Sequence, residues 1–514
     1  MENKNKNTAE ARYQVLKTER ESFLSRARKC AELTIPTLVP HSGANSSTNF
    51  ATPYQSIGAR AVNYLASRFL LTLLPPNSPF YRLKVDEDVE IPEGQKAEVE
   101  QGLTVIEALV MNEIEQLALR VAAYETLKHL IVAGNTLIYL DPDKDNARVF
   151  HLSSYVVSRD PMDALLEIIT HEKISPSTLP QDVLKFLADG SHDKLEALTK
   201  EKTLNLYRHV KRVRNQWISY EEINGKELPK TRAIYPLEGS PWLPLRFIKV
   251  DGESYGRSYV EQYYGDLHST ERLSKAIVEA SVAASRILLL IEPNGITRAK
   301  DIQEAENGDA IKGSRKDVNF LQLDKFADLK TASSTLDQLI QRLATAFLMH
   351  SSVQRDAERV TAEEIRYMAQ ELETALGGVY SILSQEFQMP LVRVLLMRLQ
   401  RKGRIPPLFN KVKPYITTGL EALGRGQDLE KVLRWFEILK GNLSPEEFQK
   451  EIKSRNFIER TASFLSINSA DYLKTNKEKN AEAEQQENAA NQQAMQEALT
   501  RAAPQVANNL TKGE

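Results

Sequence analysis

The sequence predicts a helix-rich α+β subunit, on three observations. Apolar residues recur at helical spacing up to Ile131; short β-prone runs bounded by turn formers follow between Asn135 and Val250; and after Gly265 two long helical stripes flank a compact β-like excursion. At 514 residues the chain exceeds a single small binding module, and at roughly 150 residues per domain it corresponds to about three compact units or one large subunit with excursions. Hydrophobic content of 41% and charged content of 26% lie near the globular average, so a sizeable core can form.

The elements follow in order. Val15, Leu16, Phe23 and Leu24 mark an amphipathic helix from Thr8 to Leu33, ended by Ile35-Pro36. A Ser/Asn/Gly-rich loop, His41 to Thr52, precedes a second helix, Ser56 to Leu74, stopped by Pro75-Pro76. Asp86 to Lys96 reads as an exposed acidic loop, and helical spacing returns at Leu103, Ile106, Leu109 and Val110 and again at Tyr124, Leu127, Leu130 and Ile131. The β-prone runs are Asn135–Leu140, Val149–Leu152, Tyr155–Ser158, Leu165–Thr170, Leu204–Val213, Gln216–Glu221 and Arg246–Val250, which suggest a mixed or antiparallel sheet. Leu179 to Lys200 reads as a peripheral helical insertion between them.

Leu273, Ile277, Ala280, Ala284 and Ile287 share one stripe, which predicts a helix over Asp266–Arg286. Ile287–Ile291, the turn Glu292-Pro293-Asn294-Gly295 and the return run Asn319–Leu323 form the excursion, and Leu336, Leu339, Leu343 and Phe347 mark the helix after it, Ala327–Phe347. Thr361-Ala362-Glu363-Glu364 is a capping box opening a helix with Ile365, Met368, Leu372 and Val379 on one face; Gly377-Gly378 and Pro390 interrupt it. Pro414–Thr418 is a short strand, Ser444-Pro445-Glu446-Glu447 starts another helix, and from Thr475 a Gln/Asn/Ala/Glu-rich tail follows. No internal repeat is present.

Charge and cysteine content narrow the function classes. With 67 Lys and Arg against 69 Asp and Glu the formal net charge is -2, which argues against coating nucleic acid by bulk positive charge and leaves room only for local or weak contacts. Cys30 stands alone, so neither an intramolecular disulfide nor a multi-cysteine metal site can form, and a reducing cytoplasm is expected. Met1–Glu10 lacks the apolar core of a signal peptide, and the most apolar stretches, Phe69–Pro76 and Ile287–Ile291, fall far below the roughly 20 residues of a membrane span, so a soluble chain without membrane insertion is expected.

Four motifs suggest chemistry. Gly252-Glu253-Ser254-Tyr255-Gly256 fits the G-x-S-x-G nucleophile elbow, which makes a serine hydrolase using Ser254 the alternative function. Against it, only His268 and His350 lie downstream, and long helices follow where a hydrolase sheet would continue. Gly419–Gly424 matches the opening of a P-loop but continues Arg425-Gly426 where Lys and Ser or Thr are required, so no nucleotide hydrolysis is predicted. The histidines lack metal-ligand spacing, and Asp141-Pro142-Asp143-Lys144-Asp145 lacks the central Gly and closing Glu of a calcium loop; no metal, no cofactor and no enzyme activity are expected. Arg393, Arg398, Arg401, Lys402 and Arg404 form a stripe with two open readings, a phosphate contact or a solvated helix end.

Asp251-Gly252-Glu253-Ser254-Tyr255-Gly256-Arg257-Ser258, followed by helix, β-excursion and helix, resembles the head-to-tail connector, or portal, proteins of short-tailed bacteriophages. Matching stretches are Tyr54–Arg60, Val132–Asn135, Leu152–Val157, Glu358–Tyr367, Leu376–Gln385 and Thr418–Asp428; the resemblance covers most of the chain in order and weakens at Asp88–Lys96, Pro180–Lys202 and beyond Lys440. It implies a portal-type subunit assembling into a ring, usually of twelve: an α/β wing (1–264), a first stem helix (265–286), a small β-containing clip (287–325), a second stem helix (326–349), a tunnel loop (350–360), wing helices and a strand (361–424), a C-terminal helical crown (425–474) and a polar tail (475–514).

The function so implied is a channel at one capsid vertex for packaging and ejecting double-stranded DNA, bound without sequence specificity, with a role in nucleating capsid assembly. The implied partners are the terminase large subunit, then the tail adaptor, and scaffolding, capsid and internal core proteins. The implied place is the virion's head-to-tail vertex, after synthesis in the host bacterial cytoplasm. Tunnel-loop residues facing DNA would be His350, Ser351, Ser352, Gln354, Arg355, Asp356 and Arg359; partner-docking clip residues would be Glu292, Asn294, Lys312, Arg315, Lys316 and Asp317.

Overall fold

The computed structural model describes residues 8–41, 43–45, 47–76, 79–86, 96–284, 288–321, 326–349, 362–376, 378–407, 412–416, 434–441 and 458. The chain divides into two units, Met1–Glu421 and Ala422–Glu514; in the second, residues 434–441 are helical, while the Ser444 capping box and the polar tail lie outside the described residues.

In the first unit the helical stripes form α1 (Ala9–Glu32), α2 (Ile57–Leu73), α3 (Lys96–Gln116) and α4 (Leu119–Ala133). Thr8 caps α1 through its side chain, and the Glu222 carboxylate accepts the next free amides, Ala9 N at 2.8 Å and Glu10 N at 3.1 Å. These helices and their partners enclose the main core, in which Leu65, Phe69, Leu127, Leu130, Ile131, Phe247 and Val260 are all fully buried.

The β-prone region folds into separate antiparallel sheets rather than one. The strands β2 (Asn135–Leu140), β3 (Ala147–Phe150) and β10 (Trp242–Arg246) form a three-stranded sheet in the order β10-β2-β3. A six-stranded sheet holds β4 (Tyr155–Arg159), β5 (Leu165–Ile174), β6 (Leu204–Val213), β7 (Gln216–Ile223) and β8 (Lys226–Glu227) in order, with β9 (Ala233–Pro236) on β7. The strand expected at Arg246–Val250 lies four residues earlier. Pro244 suggests a breaker, but β10 pairs with β2 alone, and an edge strand tolerates a missing amide. The insertion between β5 and β6 is helical as expected, α5 (Gln181–Leu187) and α6 (His192–Lys200), and packs on a small core of its own around Leu187, Leu198, Leu204 and Ile223.

From the core a helical pair departs: α7 (Tyr259–Gln262) leads into α8 (Tyr264–Ala284), which packs along α10 (Phe326–Ala346). Between them β11 (Leu288–Ile291) and β12 (Val318–Leu321) form an antiparallel pair, and α9 (Ala299–Glu304), unforeseen from sequence, lies in the intervening loop. The helical run after the break holds α11 (Ala362–Leu376), α12 (Val379–Leu383) and α13 (Met389–Arg401), with Gly378 at φ +88° between the first two. A π-turn, Ser384–Gln388, joins α12 to α13: Pro390 cannot donate to the Glu386 carbonyl, so the α-ladder fails there and the wider turn accommodates it. The last described strand, β13 (Val412–Ile416), pairs with β1 (Tyr81–Val85), which the sequence reading missed.

Candidate functional site

The G-x-S-x-G segment is a packing knot. Gly134 ends α4 at φ +73°, and a Cβ there would stand 2.5 Å from the Arg257 carbonyl carbon; one on Gly256 would stand 2.8 Å from Arg246 Cβ and 2.9 Å from the Gly134 oxygen. Asn135 locks the approach, its Nδ2 donating to Gly256 O at 2.8 Å and its Oδ1 accepting Gly256 N at 2.7 Å. Tyr255, buried against Phe23, accepts Val157 N on its hydroxyl at 2.9 Å, and Ser258 caps α7 by accepting Glu261 N at 2.9 Å. Three separated stretches, 132–135, 152–157 and 251–258, thus meet at one point, and the glycines are explained by backbone approach. Among the described residues Ser254 makes no hydrogen bond to a histidine; His268 stacks on Tyr264, and His350 lies outside them.

The cationic stripe at the end of α13 turns one arginine inward and draws two exposed cations onto a buried acid. Arg398 is buried, with Nε 2.7 Å from a Glu113 carboxylate that is itself fully buried; Lys402 Nζ reaches the same carboxylate at 2.8 Å and Arg404 at 3.3 Å. Arg398 also donates to the carbonyls of Asp141 and Lys144 and pairs with Asp145, so the Asp141–Asp145 turn holds an arginine rather than a cation from solvent. Arg393 pairs with Glu238 at 3.2 Å, and Arg401 lies 5.6 Å from the Tyr235 ring centre. Burial raises the Glu113 pKa, but Lys402 and Arg398 outweigh it and leave the carboxyl below its usual range. Sequence reasoning missed Glu113; the available signal was an acid inside the apolar stripe Ile106, Val110, Ile114, where burial demands a cation.

A second cluster ties three elements together. Buried Arg246 on β10 holds both Asp163 oxygens, at 2.5 and 2.8 Å, and Glu386 of the π-turn at 2.5 Å, while Lys249 also pairs with Asp163. The Arg246 hydrogen bonds keep Asp163 well below the usual carboxylate range.

The helical pair is anchored at its base and open beyond it. Tyr259 donates to the Ala346 carbonyl at 2.7 Å, Leu343 and Phe347 are fully buried, and exposed Arg342 grips both oxygens of Asp266 at 2.8 and 2.9 Å. Along α8 only Leu267 and Thr270 are buried; Leu273, Ile277 and Ala280 are half-buried, and Val278 is 47% exposed. On β11, Leu290 is 53% exposed.

Of the candidate clip residues, Glu292, Asn294, Lys312, Arg315 and Lys316 are exposed. Asp317 turns inward: its Oδ2 accepts Ile296 N at 2.8 Å, Thr297 N at 3.0 Å and the Thr297 hydroxyl at 3.0 Å, contacts that lower its pKa. The tunnel-loop candidates His350, Ser351, Ser352, Gln354, Arg355, Asp356 and Arg359 all lie outside the described residues, as do the Thr361 cap and the Gly419–Gly426 segment.

An interlocked α+β body from which two long helices carry a small sheet, with apolar side chains left open along the way, defines an assembly subunit. The chain belongs to the bacteriophage head to tail connecting proteins: the model of that family matches residues 6–473. It is 41% identical over 490 residues to the portal protein of Escherichia phage T7, covering 93% of this chain and 90% of that one. It is 42% identical over 485 residues to the portal protein of Enterobacteria phage T3 (92% and 89%) and 30% identical over 498 residues to that of Enterobacteria phage SP6 (95% and 94%). Among solved structures, a chain in the neck of an empty GTA particle overlays with a TM-score of 0.39 at 10% identity, covering 76% of this chain and 88% of that one. The function is that of a structural head-to-tail connector, or portal, of a bacteriophage virion, and the serine-hydrolase alternative has no support.

Proposed function

We propose that copies of this chain close into a ring, twelve by family resemblance, around a passage for double-stranded DNA. The observation that carries the reading is the α8–α10 pair: two helices of 21 residues each leave the core, and α8 keeps Val278 and Val282 on a face that a single chain does not cover. Neighbouring copies would cover them, and a rotation that closes makes a ring rather than a fibre.

In this reading 265–286 and 326–349 are the stem, 287–325 the clip, 1–264 with 361–424 the wing, 425–474 the crown, and 350–360 the tunnel loop. His350, Ser351, Ser352, Gln354, Arg355, Asp356 and Arg359 then face the duplex, offsetting single cations with acids so that DNA is guided without being held. Glu292, Asn294, Lys312, Arg315 and Lys316 offer a polar surface to the terminase large subunit and then to the tail adaptor, two partners bound in turn. Asp317 shapes that surface from within. Scaffolding, capsid and internal core proteins are the remaining neighbours, and synthesis is in the host cytoplasm.

Single-particle electron microscopy of the purified full-length protein, classified for rotational symmetry, tests this. Closed rings with a central hole wide enough for a duplex support it; monomers and dimers alone across a wide concentration range refute it.

A further inference from the structure

Apart from the channel, and independently of it, we propose that the tip of the β6–β7 hairpin is a contact point for the phosphodiester backbone of nucleic acid. Residues 211–216, Lys-Arg-Val-Arg-Asn-Gln, are all exposed, and Lys211, Arg212 and Arg214 make no ion pair among the described residues. At the end of α13, Arg398 and Lys402 are drawn onto the buried Glu113; the hairpin cations have no such partner among the described residues.

Four acids around this end of the sheet are engaged elsewhere. Glu167, across from Lys211 in register, is held by Arg12 at 2.8 Å and His209 at 2.5 Å. At the same end of the sheet, in the β4–β5 turn, Asp163 is bound by Arg246 and Asp160 accepts Ala164 N at 2.8 Å. On the side of β9, Glu238 pairs with Arg393 at 3.2 Å.

The turn itself carries a second, independent sign. Val213 pairs with Gln216, so Arg214-Asn215 is a two-residue turn, and Arg214 adopts φ +53°. The β7–β8 turn has the same length but uses Asn224-Gly225, at φ +51° and +72°, the residue types that tolerate this conformation. An arginine at the left-handed position works against the backbone, so the hairpin keeps a charge where Asn or Gly would be less strained.

The surface also selects its ligand class. Lys, Arg, Asn and Gln side chains all donate to phosphate oxygens, and no aromatic ring is present within residues 211–216 to stack on a base, so binding there is independent of sequence. Val213 is the one apolar side chain within residues 211–216, too little for the apolar centre of a stable protein interface.

The test measures binding of a fluorescent DNA duplex to the full-length protein across a salt series, for wild type, for Arg214→Asn, and for the triple variant Lys211→Ser, Arg212→Ser, Arg214→Asn. The expected result is a plot of log affinity against log salt that flattens by about 0.9 for each phosphate the variant no longer neutralises. Arg214→Asn alone should weaken binding while leaving Tm unchanged or raised, a split that a merely structural arginine does not produce. Arg212→Glu, a single exposed change, replaces the triple variant if that one misfolds. Unchanged affinity and slope in folded variants overturn the proposal. So does displacement of the duplex by poly-glutamate as readily as by unlabelled DNA, which would mark a docking surface for acidic protein. Either outcome leaves ring formation, read separately by microscopy, untouched.

Discussion

Glu113 shows how one carboxylate fixes the fate of a whole cationic stripe. With its side chain buried and Arg398, Lys402 and Arg404 converging on it, its removal strands charge in the interior. Glu113→Gln should therefore cost about 3–5 kcal/mol in urea unfolding, the range for a broken buried pair. The glycine knot predicts a similar contrast: Gly256→Ala should destabilise by about 1–3 kcal/mol, because the nearest atoms include backbone and cannot retreat, whereas Ser254→Ala should stay within about 0.5 kcal/mol. Acid sensitivity has a residue-level origin too. Burial, with His129 and Arg20 nearby, lowers the His151 pKa from 6.5 to about 4. The unfolded chain then takes up a proton before the folded one, so stability should be level above pH 6.5 and fall as pH drops from 6.5 towards 4. Glu113 and Asp163, both depressed, add a further loss as pH falls through and below the ordinary carboxylate range. Urea midpoints measured against pH check this, and His151→Asn should flatten the upper segment alone.

At the scale of elements, local signals were legible and distant ones were not. Thr8, Pro75-Pro76 and the period-3.6 stripes placed α1, α2, α8 and α10 within about two residues of their observed ends, because caps and amphipathic faces act within a few residues. The strand β1 was invisible because its partner, β13, lies more than 300 residues away, and the π-turn because its cause, a helical proline, reads from sequence only as a kink. The cationic stripe stayed ambiguous for the same reason: nothing near Arg398 in sequence points to Glu113, on a different helix. Independence of elements is itself testable. The α5–α6 insertion packs on its own small cluster, pinned by Lys226 to the Leu187 carbonyl at 3.1 Å and to Asp189 at 2.6 Å. Leu198→Ala should speed proteolysis and hydrogen exchange across 181–200 while leaving protection of β2 and β10 unchanged. Loss of protection in both regions would mean that the insertion is part of the global folding unit.

For the molecule as a whole, a near-neutral total conceals a division of labour. Glu113, Asp163 and Glu386 hold their arginines inside the fold, where charge fixes geometry, while the helical pair and its small sheet leave Val278 and Leu290 exposed. That division separates stability of the chain from stability of the assembly. If neighbouring copies bury Val278 and Leu290, Tm rises with protein concentration, since a partner that binds only the folded state stabilises it by mass action. Val278→Asp and Leu290→Asp should then lower the fraction in rings, seen by sedimentation, and remove the concentration dependence of Tm, while the dilute-limit Tm stays that of the wild type. Gly256→Ala should do the reverse, lowering Tm at every concentration with the ring interfaces intact. Equal losses from both kinds of substitution would show that the helical pair is a support of the single chain's fold rather than its contact with the next copy.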